Sequence, residues 1–503
     1  MGSTVKAVSN TVFLTLDWGF TTLLSFAYSF VIWKMLNPWD YGIITTAVNL
    51  MMMLGSISMF GMNTAIQKLV AEYVVKRQKE KIGSIIRMSL VIIFVFDLLI
   101  CALLFFNRSF IASALKITDN VVLLICIGTV VFSLFYITSN ILCGLQDMKG
   151  YFKTGLVGNI SKFLISTTLI FLGFSYFGPL IGVIIGFAIV PFLRFKPFWF
   201  ATSKNFDRKK VILEYSLPAF LAILASVVFN NAQYIILTTI KNPEVTGLFS
   251  LAMTISALIA LIPSIINQAI FPIMSQFSVG KSLRLKGTKL IGTALRYSLL
   301  FTIPFSLMIV ILMRSLILFL KIKIEYLSAV QYLPILSLSS LLIGCAGILT
   351  SNIYAIGKPK LNRNITILTA IVFLITSIPM TYLFSAYGLA FSFLIAGALQ
   401  FVVSYFYINR FIGFKLPLNA IGKILISSII FTLLLYFGEK YFTSFILKAV
   451  VATISLVAYM VVLLFLKFFN GQDIFIVRHL TENFPKRIKD VAESFCKIVE
   501  KFI

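Results

Sequence analysis

The sequence predicts an all-α polytopic membrane protein with about fourteen transmembrane helices. Three observations lead there. First, 59% of the 503 residues are hydrophobic, 12% are charged, and the mean hydropathy is +1.01. A soluble domain of that composition would expose far too much apolar surface. Second, apolar runs of about twenty residues recur from one end to the other, each long enough to cross a hydrocarbon core of about 30 Å. Third, basic residues concentrate in alternate connections between those runs. A β-barrel is excluded, because barrel strands alternate polar and apolar residues over about ten positions.

In chain order, the first six spans fall near 11–33, 43–62, 84–106, 120–142, 152–174 and 178–200. The next six fall near 215–238, 246–273, 290–313, 330–353, 363–384 and 387–409, and the last pair near 420–437 and 443–466. The first ten residues are polar, and the apolar run after them is too long for a signal-peptide core, so it reads as a retained first span.

The spans are related by a duplication. Asn37-Pro38-Trp39-Asp40-Tyr41-Gly42 returns 205 residues later as Asn242-Pro243-Glu244-Val245-Thr246-Gly247. Thr138-Ser139-Asn140-Ile141 returns as Thr350-Ser351-Asn352-Ile353, and Phe174-Ser175-Tyr176-Phe177-Gly178 as Phe384-Ser385-Ala386-Tyr387-Gly388. Three anchors in one order at nearly one offset indicate an internal repeat of six spans. Six is even, so both six-helix lobes enter from the same side, related by a pseudo-two-fold along the membrane normal. Each hexapeptide reads as a tight connection, with proline fixing φ and glycine free to take a positive φ. The expected organisation is an N-terminal lobe (1–200), a basic linker (201–214), a C-terminal lobe (215–410), two extra helices (411–467) and a tail (468–503).

The net charge of +26 would suggest nucleic acid in a soluble protein. Here the cations sit in short connections, where they set topology and meet anionic headgroups. Alternate connections and the termini carry 32 Lys and Arg on one side against 7 on the other. The positive-inside rule therefore places both termini in the cytoplasm. In the tail, Ile488, Val491, Phe495, Ile498 and Phe502 share one helical face, Pro485 suits the first turn, and Lys486, Arg487, Lys489, Lys497 and Lys501 surround it. This fits a helix on the anionic leaflet or one packed on the protein's own loops. The five cysteines have no C-x-x-C spacing and read as small core residues; the single histidine, His479, makes no cluster.

No catalytic constellation, metal-ligand spacing or Walker A loop is present in the sequence, so a cofactor-free transporter is expected. Polar groups at membrane depth are then the functional candidates, because burying them in hydrocarbon is costly. Asp97 and Lys162 should lie near the midplane, as a buried ion pair or facing a hydrated cavity, with Lys162 attracting an anion and Asp97 titrating or binding a cation. Asp17, shallower, is the other coupling candidate. Asn230, Asn231 and Gln233 in the seventh span and Asn267 and Gln268 in the eighth form an amide cluster, suited to interhelical hydrogen bonds or to sugar hydroxyls. Arg194, Arg296, Arg314 and Lys448, at span ends, read as snorkelling anchors. Pro218, Pro263, Pro272, Pro304 and Pro334 permit kinks in spans seven to ten.

Several stretches together resemble one family. Met35-Leu36-Asn37-Pro38-Trp39-Asp40-Tyr41-Gly42 follows the first span, and Gly61-Met62-Asn63-Thr64-Ala65 leads to Ala71-Glu72-Tyr73 after the second. Ser216-Leu217-Pro218 opens the second half, Phe271-Pro272-Ile273-Met274-Ser275 ends span eight, and Tyr387-Gly388-Leu389-Ala390 enters span twelve. In this order they resemble the polysaccharide-transporter branch of the multidrug/oligosaccharidyl-lipid/polysaccharide exporter superfamily, the Wzx-type flippases. The resemblance covers about residues 10–410. It implies a MATE-like two-lobed bundle with an alternating central cavity, whose cargo is a polyprenyl- or dolichyl-diphosphate-linked oligosaccharide. It also implies a cationic cavity, to which Lys34, Lys68, Arg87 and Lys162 could contribute. Many relatives carry Asp-Arg where this chain has Gln233-Tyr234, so a contact made there is not carried over.

The expected partners are that lipid-linked oligosaccharide, anionic lipids and polysaccharide-assembly enzymes, with no nucleic acid and a monomeric bundle in the cytoplasmic membrane. Coupling could use Na+, H+ or membrane potential alone. The alternatives are a multidrug antiporter, which usually has twelve spans, a lipid II-type flippase, and a membrane glycosyltransferase, which the short outward loops disfavour.

Overall fold

The structure, a computed structural model, describes residues 2–195, 206–279 and 283–471, and beyond them 473–475, 478, 489–490, 493, 496–497 and 499–500. All its regular elements are helical. In order they are α1 (Gly2–Met35), α2 (Pro38–Ser58), α3 (Met62–Val75), α4 (Lys79–Phe106), α5 (Arg108–Leu115), α6 (Asp119–Leu145), α7 (Met148–Phe171) and α8 (Phe177–Arg194). A short α9 (Arg208–Lys210) continues through a π-helical turn, Val211–Ser216, into α10 (Leu217–Ile240). There follow α11 (Pro243–Val279), α12 (Thr288–Phe319), α13 (Leu333–Ala355), α14 (Pro359–Ile412), α15 (Leu418–Tyr441) and α16 (Phe445–Phe465).

Among the described residues, twelve helical segments are long and apolar enough to cross a membrane. One of them, α14, has 54 residues and would run about 80 Å if straight, far more than one crossing needs. Its backbone leaves helical geometry at Ser385 (φ 56°, ψ −137°), so it supplies two spans. Helix α1, with 34 residues, is also long enough to cross, although it is not among the twelve. The count of about fourteen follows. Pro485, Ile488, Val491, Phe495, Ile498 and Phe502, the apolar face expected in the tail, lie outside the described residues, as do Lys486, Arg487, Lys501, His479 and residues 201–205 of the linker.

The helices gather into two compact units. The first comprises Met1–Met253, Lys321–Tyr332 and Arg363–Ala396; the second comprises Thr254–Leu320, Leu333–Asn362 and Gly397–Ile503.

Within the first unit the repeat is visible in backbone geometry. Asn37 caps α2 by accepting from the Asp40 amide at 2.8 Å, and Asn242 caps α11 by accepting from the Val245 amide at 2.9 Å. Each cap is followed by Pro at the first helical position, where the missing N–H costs nothing. The two glycines differ from expectation. Neither Gly42 nor Gly247 has a positive φ. A Cβ on Gly42 would fall on the Pro243 carbonyl, and one on Gly247 on the Pro38 carbonyl. The duplicated turns thus pack on each other reciprocally, and glycine is there for close approach. Thr45 and Ser250, 205 residues apart, bond across the same contact at 3.1 Å. The third repeated motif also keeps its shape: Ser175 (φ 45°) and Ser385 (φ 56°) both adopt left-handed backbone.

Helices α7 and α8 form the tightest pair. A Cβ on Gly186 would come within 2.7 Å of the Lys162 amide nitrogen, and one on Gly182 within 2.7 Å of the Ser166 amide nitrogen. Glycines four residues apart let two backbones meet with no side chain between them.

In the second unit, α15 and α16 attach to α12 by buried polar contacts. Lys448 pairs with Glu439 at 2.9 Å and donates to Ser315 at 2.7 Å, while Ser315 donates to Glu439 at 2.6 Å. Tyr459 donates to the Leu300 carbonyl at 3.0 Å. Arg296 pairs with Asp473 and lies over the Phe468 ring at 4.4 Å, and Tyr297 donates to Asp473 at 2.5 Å. Lys448 and Arg296 are therefore interior fasteners and not the snorkelling anchors that their span-end positions suggested; Arg314 alone of that set is exposed. Lys448→Met should cost about 3 kcal/mol by stranding Glu439, and adding Glu439→Gln should recover most of it. Melting temperatures of the wild type and the two variants in one detergent would check this.

The prolines expected to permit kinks lie within continuous helices. Pro263 and Pro272 lie inside α11 and Pro304 inside α12, yet the interior departure from helical dihedrals occurs at Ser385 in α14. Pro218 sits in the first turn of α10, just after the π-helical turn, where its missing N–H is tolerated.

Candidate functional site

The first unit contains a cavity of about 330 Å³ lined by Ser56, Met59, Asn63, Tyr136, Asn140, Ile223, Ser226, Val227, Asn230 and Asn231. Local geometry explains how these come together. Gly61 takes a left-handed conformation (φ 76°) that turns α2 into α3 and leaves no room for a Cβ against the Ser216 carbonyl. Ser216 donates to the Phe60 carbonyl, and Phe60 packs on Phe220 at 4.8 Å. This corner presses the first turn of α3, with Asn63, onto α10. On α10, the lining residues 223, 226, 227, 230 and 231 follow helical spacing and form one face. Tyr136 and Asn140, four apart on α6, complete the wall.

The wall carries no charge. Asn230 and Asn231 give their amide N–H to the carbonyls of Ser226 and Val227, at 2.7 and 2.8 Å. Asn140 donates to the Tyr136 carbonyl at 2.7 Å and accepts from Gln67 at 2.6 Å. Asn63 accepts from the Thr64 amide at 2.9 Å. Of the amides singled out from the sequence, Asn230 and Asn231 line this cavity. Gln233 is buried beside it, donating to the Asn230 carbonyl at 2.6 Å. Asn267 belongs to the second unit and accepts from Ser351 of α13, while Gln268 is exposed on α11.

The charged candidates are scattered. Lys34 is exposed at the end of α1, over Phe30 at 5.9 Å, and Arg87 is exposed on α4. Lys68 is exposed on α3 and lies over the Tyr215 ring at 4.6 Å. On the same helix, the Lys76 ammonium 2.5 Å from Glu72 holds that carboxyl below the usual range. Asp97 and Lys162 are both buried but are not paired with each other. Asp97 accepts from Ser133 at 2.6 Å, whereas the Lys162 ammonium lies over Tyr28 at 4.9 Å and Phe187 at 5.8 Å. Asp17, half-buried, faces Gly155 of α7, its Oδ1 3.0 Å from where a Cβ would stand. Among the described residues, no three His, Cys, Asp or Glu could hold a metal.

Arg194, expected from its span-end position to be a snorkelling anchor, is not one. It is buried, donating to Thr154 at 2.8 Å and Ser139 at 2.5 Å, between the rings of Phe135 and Tyr151. The sequence reading also passed over Asn63 and Asn140 as site residues, although Asn63 stands in a motif that carries the resemblance and Asn140 in one that carries the repeat. The usable signal was an amide at the end of an apolar run, where no ordinary connection needs one.

Comparison with known proteins fits this architecture. The family described as polysaccharide biosynthesis protein matches residues 7–278. No curated protein sequence matches. Among solved structures, the lipid II flippase MurJ in an inward closed conformation is similar at 17% identity and a TM-score of 0.71, over 94% of this chain and 100% of that one. An inward-facing multidrug resistance MATE family transporter of the MOP superfamily is similar at 14% identity and a TM-score of 0.58, over 78% of this chain and 95% of that one. The family that the ordered motifs resemble is the family found: by a match over more than half its length, this chain belongs to the polysaccharide biosynthesis proteins.

Proposed function

We propose that this protein is a flippase that moves a polyprenyl-diphosphate-linked oligosaccharide from the cytoplasmic to the outer leaflet. The observation that carries the reading is the uncharged, amide-lined cavity among membrane-crossing helices of a polysaccharide biosynthesis protein. Sugars cannot cross hydrocarbon unaided, and a polar cavity in the bundle gives them partners at a depth where lipid gives none. The lipid tail needs no such cavity. The likeness to a lipid II flippase and to MATE transporters supports a scaffold on which alternating access operates. No group in the site performs covalent chemistry, so the reading is transport without a cofactor, driven by an Na+ or H+ gradient or by potential, with Asp17 and Asp97 as the coupling candidates. The protein would act as a monomer in the cytoplasmic membrane, both termini inside. Its many cytoplasmic cations would meet anionic lipid and polysaccharide-assembly enzymes.

The test is made in the cells that produce the protein. Silencing it should cause lipid-linked oligosaccharide to accumulate in the cytoplasmic leaflet, readable as glycan cleaved by an enzyme added to inverted vesicles but not to intact cells. Unchanged lipid-linked glycan together with reduced efflux of an organic cation would point instead to the multidrug antiporter.

A further inference from the structure

We infer that the α3–α6–α10 cavity seats an uncharged, hydroxyl-rich sugar unit of the cargo and discriminates against acidic sugars and the diphosphate. The inference deepens the proposed function and rests on that reading of the cargo. Its basis is which hydrogen-bonding groups remain free. Once Asn230 and Asn231 have each given one N–H to their own helix, each keeps its carbonyl oxygen and a second N–H for a ligand in the cavity that both residues line. The orientation is forced, since the reverse amide placement would set two oxygens against each other. Asn63 is the opposite: its oxygen accepts from the Thr64 amide, which leaves its –NH2 as a donor. The Tyr136 hydroxyl can donate as well as accept.

The cavity therefore offers acceptors and donors on α10 and donors on α3 and α6, with no formal charge. A sugar hydroxyl donates and accepts at once and can satisfy both walls. A carboxylate or phosphate accepts only, so it leaves the Asn230 and Asn231 carbonyl oxygens without a donor and finds no cation to offset its desolvation. Met59, Ile223 and Val227 supply apolar surface for the C–H faces of a ring. A volume of about 330 Å³ lies near the lower end for small-ligand sites, about 300–1,000 Å³. That suits a sugar unit, not a whole glycan. Specificity of this kind arises because a site built around hydroxyls leaves its own buried polar groups unpaired when the wrong ligand enters.

The experiment uses the full chain in proteoliposomes with two polyprenyl-diphosphate disaccharides that differ in one residue, glucose or glucuronate. Wild type is expected to move the neutral cargo at least about tenfold faster. Asn231→Leu should slow the neutral cargo about fivefold, the loss of roughly one hydrogen bond, and leave the acidic one unchanged. Asn230→Lys, at an exposed position, should narrow the preference by offering the acidic cargo a cation, and it decides alone if Asn231→Leu yields no folded protein. Equal movement of both cargoes by wild type, or variants that slow both alike, would overturn the inference. If neither cargo moves, the proposed function fails, and binding of the same two lipids to protein in nanodiscs decides the site. Tighter binding of the neutral lipid, lost in the variant, upholds the site. Equal binding removes it.

Discussion

Gly247→Leu is expected to abolish folded, monodisperse protein, and Gly247→Ala to lower its yield severely. Gly247 lies where the duplicated turns cross, and a Cβ there would stand 2.8 Å from the Pro38 carbonyl carbon and 3.0 Å from the Gly42 amide nitrogen. These are backbone atoms of a capped helix start, which cannot rotate aside as a long side chain would. Overpacking against side chains costs about 1–3 kcal/mol. Here relief requires parting two helix N-termini that also share the Thr45–Ser250 bond and the buried Thr46–Thr238–Thr246 hydroxyl chain. The cost should reach or exceed the top of that range, a large part of a stability of about 5–15 kcal/mol. Gly422→Ala is the control, because a Cβ at Gly422 meets nothing within 4 Å; it should be neutral or slightly stabilising, as alanine is better than glycine within a helix. Size-exclusion profiles and melting temperatures of the three variants give the comparison. Equal behaviour of Gly247→Ala and Gly422→Ala would refute the close crossing.

The second large effect is a contrast between two buried cations. Arg194→Met should lower stability by about 3 kcal/mol. It removes charge-assisted bonds to Thr154 and Ser139, each worth about 1.5–3 kcal/mol, and the guanidinium between two aromatic faces. Lys162→Met should leave stability unchanged or raise it. Among the described residues no carboxylate lies within ion-pair distance of Lys162, and its ammonium has the faces of Tyr28 and Phe187. A desolvated cation–π contact is worth about 2 kcal/mol, while taking an ammonium from water costs several. Methionine fills a similar volume without that cost. Thermal unfolding of both variants in one detergent separates the cases, and a Lys162→Met loss as large as that of Arg194→Met would mean that the ammonium has a partner unaccounted for.

How much the sequence disclosed depended on the range of the interaction. Spans and the repeat follow from local composition and spacing, and they appear as helices, as matched caps at Asn37 and Asn242, and as serines of positive φ at both 175 and 385. One face of the site was also legible, since Asn230 and Asn231 fall on the helical stripe that begins at Ile223. The opposite face was not. Asn63 joins the α10 face because Gly61 turns the chain sharply and the Phe60–Ser216 contact fixes the angle, and Asn140 joins it because α6 packs on α3, where Gln67 donates to it; such tertiary geometry leaves no period in the sequence. The same limit explains Gly42 and Gly247, whose role is set by a neighbour 205 residues away. It explains Arg194 too: position near a span end suggested snorkelling, but polar side chains on α6 and α7 draw it inward. Asp97 and Lys162 invited pairing because both lie at similar depth, yet depth says nothing about which way two helices face.

The most direct test of the account is the rate at which a membrane-impermeant quencher reaches a fluorescent polyprenyl-diphosphate oligosaccharide held initially in the sheltered leaflet of proteoliposomes. Vesicles with the wild-type protein should expose that lipid much faster than protein-free vesicles under at least one of an Na+ gradient, an H+ gradient or an imposed potential. Identical exposure with and without folded protein, under all three conditions, would contradict it.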